Sequence, residues 1–156
     1  PQHLGDLRVP RGAGKGLSVA AGTPTQGVEG FVLSHREALL ARHVAQLRGD
    51  RTARVAFPDL SLEALMVGDV DAARRFAERE LGSLAAADDA TMRLASTLAV
   101  FLEEGASFVR AARRLGVHTN TVTYRVRRAE EMLGHKVSER QLELRVALRL
   151  AGLLPN

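Results

Sequence analysis

Apolar residues recur at helical spacing in four successive blocks from residue 88 to the end of the chain. In the first, Asp88 or Asp89 opens a helix that runs to Gly105 and places Leu94, Leu98, Phe101 and Leu102 at i, i+4, i+7 and i+8. The second puts Phe108, Ala111, Ala112 and Leu115 on one stripe, with Arg110, Arg113 and Arg114 pointing elsewhere. Gly116 follows, able to take the positive φ that reverses a chain at a helix end, and Val117 plugs the turn. The third block starts near His118 or Thr119, either of which can cap it, and buries Val122, Val126, Ala129 and Leu133. At about 100° per residue the opposite face presents Asn120, Tyr124 and Arg127, flanked by Thr121 and Arg128. In the fourth, Ser138 and Gln141 form a capping box, and Leu142, Val146, Leu150 and Leu153 share a face that stops at Pro155. A two-helix motif cannot bury its own stripe, so the first and last blocks are its walls. An earlier helix, opened by Asp69 or Asp71 and ended by Gly82, carries Phe76 and Leu81 onto the same bundle.

The first sixty residues follow a different rhythm. Leu7 to Val9, Leu17 to Ala21 and Ala53 to Phe57 are short β-type runs, and Ser34 to Leu47 is an amphipathic helix with Ala38, Leu39, Ala41 and Leu47 apolar. This is an α+β pattern. Three strands and one helix bury too little to stand alone, so the segment reads as the incomplete end of a domain. The chain also starts with Pro rather than Met, as the C-terminal portion of a longer protein would.

Charge sharpens the picture. The chain of 156 residues carries a net +4, yet residues 107 to 136 alone hold seven basic side chains against Glu130 and Glu131, a net of +5. The whole excess is concentrated in the two-helix segment, as expected of a surface that meets polyphosphate. A helix, a glycine turn and a second helix rich in hydroxyls and arginines form the build of a helix-turn-helix that reads double-stranded DNA. Asn120, Thr121 and Arg127 are of the types that contact base edges, Asn pairing with adenine and Arg with guanine. Thr119, Thr123, Tyr124, Arg125, Arg128, Arg113 and Arg114 complete the candidate surface, with the arginines favouring phosphate. Tyr124 also suits the edge of the core, Thr119 a simple cap, and Arg125 a structural position. Glu130 and Glu131 repel phosphate, so contact is expected to end near Arg128.

Residues 94 to 154 closely resemble the C-terminal DNA-binding domain of PucR/CdaR-type bacterial transcription regulators. The resemblance rests on Thr97, Leu98, Phe101, Leu102 and Glu103, on the core from Ala111 through Gly116, His118, Asn120 and Val122 to Tyr124 and Arg125, and on the final ALRL helix. It departs from that pattern at Thr119, where the family usually has Arg, so one basic contact is missing. The stretch from Ala111 to Val122 is also similar to a Fis-type helix-turn-helix, but that type lacks matching helices on both sides. Residues 22 to 42 resemble the end of the degenerate GGDEF-like domain that precedes the helix-turn-helix in the same regulators. The resemblance implies control of catabolic or secondary-metabolite genes, with an effector sensed by an upstream domain outside this chain.

The organisation expected is α+β overall: an incomplete GGDEF-like segment over 1–60, then an all-α DNA-binding domain over 61–156 with its helix-turn-helix at 107–133. No run approaches the ~18 apolar residues of a membrane span, and no signal peptide is visible. With zero Cys, disulfides and thiolate zinc sites drop out. The RGAGKG run from Arg11 lacks the P-loop spacing and reads as a turn. The Gly27-Val-Glu-Gly-Phe stretch lacks the acidic pair that a metal-dependent nucleotide cyclase needs. The five His show no metal-ligand spacing. The reading is therefore a cytoplasmic, sequence-specific DNA-binding regulator without catalysis, cofactor or metal, acting as a homodimer or higher oligomer because one recognition helix covers few base pairs. The alternative is a protein-interaction module whose Arg face meets an acidic partner.

Overall fold

A computed structural model describes residues 18–49 and 54–154. They form β1 (Val19–Ala21), α1 (Gly27–Leu47), β2 (Arg54–Ala56), α2 (Phe57–Met66), α3 (Val70–Leu81), α4 (Asp89–Glu103), α5 (Phe108–Leu115), α6 (Thr119–Leu133) and α7 (Gln141–Leu153). Short 3-10 turns occupy Gly82–Ala85 and Val137–Glu139. The chain divides into two compact units, one running to Val70 and the other covering Asp71–Gly152, with the residues from Leu153 grouped with the first.

In the first unit β1 and β2 pair in parallel, Val19 opposite Arg54 and Ala21 opposite Ala56. Parallel neighbours need a crossover, and α1 supplies it. The loop from β1 to α1 approaches α1 so closely that a Cβ on Gly22 would lie 1.9 Å from the Ser34 carbonyl oxygen; only glycine fits. Glu37 secures the same loop by accepting from the Thr23 backbone N–H at 2.6 Å. The helix starts at Gly27, seven residues before the expected Ser34, and buries Ala41, Val44 and Ala45. Of the apolar residues expected to face inward, only Ala41 is fully buried, and Leu39 lies on the far side at 43% exposed. Against this face α2 sets Leu60 and Ala64, together with Glu63, which is 1% exposed and takes a hydrogen bond from Arg48 at 3.2 Å. Both strands are shorter than expected, and Phe57 opens α2 instead of ending β2, helped by Pro58 in the first turn. The expected strand at Leu7–Val9 and the RGAGKG turn lie outside the described residues.

The second unit is a helical bundle. Its core gathers Leu81 and Leu84, then Leu98, Phe101 and Leu102 from α4, Ala111 and Ala112 from α5, and Val122, Val126 and Ala129 from α6. Val137, Leu144 and Ala147 close it. Phe76 and Leu81 of α3 join this bundle as expected. Asp88, rather than Asp89, caps α4 and accepts from the backbone N–H groups of Ala90 and Thr91. The Thr91 hydroxyl and backbone hydrogen bonds hold the Asp88 carboxyl below its ordinary range.

Of the face expected on α7, Leu150 and Leu153 are buried, Val146 is half-buried and Leu142 is 72% exposed; Leu144 and Ala147 are buried instead of it. Ser138 sits inside the 3-10 turn, and the first α7 hydrogen bond runs from the Leu144 N–H to the Arg140 carbonyl, so the expected capping box of Ser138 and Gln141 is not the start of this helix. Glu80, buried on α3, takes Arg140 at 2.9 Å and fixes the approach to α7.

Candidate nucleic-acid interface

The two central helices meet through a glycine turn. Ser107 caps α5 by accepting from the Arg110 N–H at 3.4 Å. At the other end Gly116 adopts φ 65°, and the N–H groups of Gly116 and Val117 return to the carbonyls of Arg113 and Ala112. Those paired bonds satisfy the last carbonyls of the helix and turn the chain within two residues. The small side chains Ala111 and Ala112, both buried, let α5 lie close against its neighbours. Phe108 stands at the rim, 36% exposed, with its ring centroid 4.6 Å from that of Phe101.

His118 decides where α6 begins. Its Nδ1 accepts from the Asn120 backbone N–H at 3.1 Å, which makes it the cap and frees Thr119 for the first helical position. Val122, Val126 and Ala129 are buried, as the spacing requires. Asn120, Tyr124, Arg127 and Arg128 are exposed on the other side, Tyr124 to 68%. Thr121 is half-buried. Thr119 and Thr123 are also half-buried, and the Thr123 hydroxyl donates to the Thr119 carbonyl at 3.1 Å. A helix N-terminus with its polar groups outward is electrostatically suited to phosphate.

Arg125 behaves differently from its neighbours. Its Nη1 donates to the Thr97 hydroxyl of α4 at 3.2 Å, and that hydroxyl itself donates to the Arg93 carbonyl at 2.7 Å. Thr97 is 1% exposed, so Arg125 ties α6 to the core wall. This matches its expected structural position.

The arginines of the candidate surface also differ in how much charge they present. Arg114 contacts Glu103 at 2.8 Å and Glu104 at 3.1 Å, and these hydrogen bonds and charges raise its guanidinium further above its ordinary range. Arg110 donates to the Glu104 carbonyl through Nε at 3.0 Å, closing an open helix end, and its charge faces the same carboxylate. Arg128 is held by Glu131 at 2.6 Å. Lys136 pairs with Glu130, which also accepts from the Val137 N–H at 3.0 Å. Burial opposes the charge on Glu130, but the Val137 N–H and the Lys136 ammonium outweigh it and hold the carboxyl below its ordinary range. Arg113 and Arg127 form no ion pair among the described residues. Sequence reading did not reveal Glu103 and Glu104 as partners of the basic surface, because they lie across a turn from it and outside any helical repeat.

Residues 94–150 match the PucR C-terminal helix-turn-helix domain. The PucR-type segment thus runs from within α4, through the two central helices, to the buried Leu150 of α7. A purine catabolism regulatory protein of Bacillus subtilis (strain 168) is 37% identical over 94 residues, which cover 59% of this chain and 18% of that protein. A protein of Thermomonospora curvata, described as an uncharacterized protein in the pkwA 5'region, is 34% identical over 108 residues, 67% of this chain and 59% of that protein. The chain therefore spans less than a fifth of the first relative and about three fifths of the second. No solved structure matches significantly. Among the described residues no helix is long and apolar enough to cross a membrane.

Proposed function

We propose that this chain is the DNA-reading part of a cytoplasmic transcription regulator, which docks the N-terminal half of α6 in the major groove and performs no chemistry. One observation carries the reading: within a segment of PucR helix-turn-helix type, the apolar flank of α6 is buried while Asn120, Tyr124 and Arg127 project outward together. Base contact falls to Asn120, Thr121 and Arg127. Phosphate contact falls to Arg113 and Tyr124, with Thr119 and Thr123 at the edges of the groove, and to Arg128 only when it gives up Glu131. Arg125 orients the helix from behind. Arg114 reaches phosphate only by giving up its two carboxylates. The parallel crossover of β1, α1 and β2 supports reading the first unit as the end of a GGDEF-like domain. The name of the Bacillus relative makes genes of purine breakdown the first class of target to examine.

The test is selection from a random duplex pool at several salt concentrations. Enrichment of a shared motif, with retention that weakens as salt rises, is the expected result. Retention without a motif, or binding to acidic proteins but not to duplex DNA, overturns the proposal in favour of an interaction module.

A further inference from the structure

The side of α1 opposite its buried residues is apolar, and none of the described residues covers it. Val28 is 82% exposed, Phe31 70% and Leu39 43%, while Ala41, Val44 and Ala45 fill the inner face. An exposed apolar stripe of this length on a helix marks a surface meant for a partner. Its spacing is specific. Val28, Val32, His35 and Leu39 follow one another by four, three and four residues, the alternation of a coiled-coil seam. Past Leu39 the same line continues with Arg42 and Gln46, so the seam is confined to the first half of the helix. His35 is its one polar member, and its ring stacks on Phe31 with 6.2 Å between centroids.

We propose that this face pairs with the same face of a second copy of the chain, the two α1 helices running antiparallel. Charge selects the occupant and the direction. Glu29 and Arg36 lie on one flank of the seam, seven residues apart. An antiparallel pair that sets Val28 against the partner's Leu39 and Val32 against the partner's His35 brings Glu29 beside the partner's Arg36, twice by symmetry. A parallel pair brings these opposite charges nowhere near each other. The exposed fractions of Val28, Phe31, Val32 and Leu39, the apolar residues on this side, amount to roughly 400 Å² per copy, about half of the ~800 Å² each partner gives to a standard interface, the size of a reversible, concentration-dependent dimer. The dimer rests on the DNA reading only for its purpose, the delivery of two recognition helices to paired half-sites.

The experiment is sedimentation velocity of the whole chain, without DNA, over roughly 1 to 100 μM. A concentration-dependent dimer is expected, and Val32→Asp should abolish it. Glu29→Arg or Arg36→Glu alone should weaken it about tenfold, and the two together should restore it. That restoration separates pairing from mere damage to the fold. Because the chain has no Cys, disulfide trapping adds the direction. Val28→Cys with Leu39→Cys should cross-link copies on oxidation, whereas either alone should not, since antiparallel helices hold like positions about 16 Å apart. A chain monomeric at every concentration, a charge exchange that fails to rescue, or cross-linking by a single variant overturns the proposal. A monomer that still enriches a duplex motif would remove α1 pairing and leave the DNA reading intact; a dimer that enriches none would do the reverse.

Discussion

Replacing Arg113 and Arg114 by alanine, one at a time, separates two kinds of surface cation. Both are exposed on the last turn of α5, adjacent in sequence, and equal by composition. The structure makes them unequal. Glu103, Glu104, Arg110 and Arg114 form a cluster with no net charge, because Arg114 touches both carboxylates and Arg110 faces Glu104. Arg113 has no such partner among the described residues. A cation that displaces a counterion from B-DNA contributes about 0.9 to the slope of log K against log salt. Arg113→Ala should therefore lower that slope by about 0.9, a change worth roughly 3.5-fold in affinity between 50 and 200 mM salt. Arg114→Ala in the same chain should lower it by less than about half as much, since its charge is already met within the protein. When Glu103→Gln and Glu104→Gln are introduced together, Arg110 and Arg114 become uncompensated and the slope should steepen. In that background Arg114→Ala should lower the slope by the full ~0.9. Fluorescence anisotropy on one duplex across a salt series measures all of these variants, with thermal melts to establish that each is folded. Equal slope losses for Arg113→Ala and Arg114→Ala in the unmodified chain would refute the argument that internal pairing decides which arginine serves the DNA.

Arg127→Ala should change the preferred duplex sequence more than it changes affinity for random duplex, which repeated motif selection measures. Gly116→Ala should cost about 1 kcal/mol in chemical denaturation; an added Cβ meets nothing within 4 Å, so the cost comes from the backbone at φ 65°. Thr97→Val should cost roughly 1–2 kcal/mol by removing the buried partner of Arg125, and it should weaken binding to every duplex alike. Glu130 is depressed in the folded chain, so its stabilising contribution is present above the carboxylate value of the unfolded chain and is lost as pH falls through the lower folded value. Glu130→Gln should accordingly flatten the acid limb of a stability profile measured by urea unfolding from neutral pH downward.

The helix-turn-helix was legible because its constraints are local. Gly116 announces a positive φ, and the apolar positions of α5 and α6 admit one face each, so the exposure of Asn120, Tyr124 and Arg127 follows from Val122, Val126 and Ala129 being buried. In α7 that logic held only in part. Its apolar residues spread well beyond one stripe, and the expected set Leu142, Val146, Leu150 and Leu153 is as periodic as the buried set Leu144, Ala147 and Leu150, with which it shares Leu150. Only the bundle chooses between them, by placing the helix start at Gln141 after a 3-10 turn. The same holds for α1, which carries apolar residues on two opposite faces while the unit covers one. Ion pairing was the least readable feature. Glu104 and Arg114 are ten residues apart, a spacing that no helix repeat brings together, and the turn from Gly105 into α5 does.

These pairings also bear on how the candidate interface can work. The excess of +5 over residues 107–136 suggests a broad basic surface, but Glu103 and Glu104 lie just outside that window and Glu130 and Glu131 within it, and together they engage four of its seven cations. Arg125 spends its guanidinium on Thr97. Two arginines without ion pairs among the described residues, Arg113 and Arg127, remain with the N-terminus of α6, well short of the six to ten phosphate contacts typical of tight repressor-type binding. What the site lacks in charge it offsets in rigidity. His118 fixes the start of α6, Arg125 its middle, and Ser83, donating to the Met132 carbonyl at 3.2 Å, its end. Under the proposed function, a rigid reader with few phosphate anchors would discriminate among sequences but hold each weakly, and two copies acting on paired half-sites would be the economical way for it to occupy an operator.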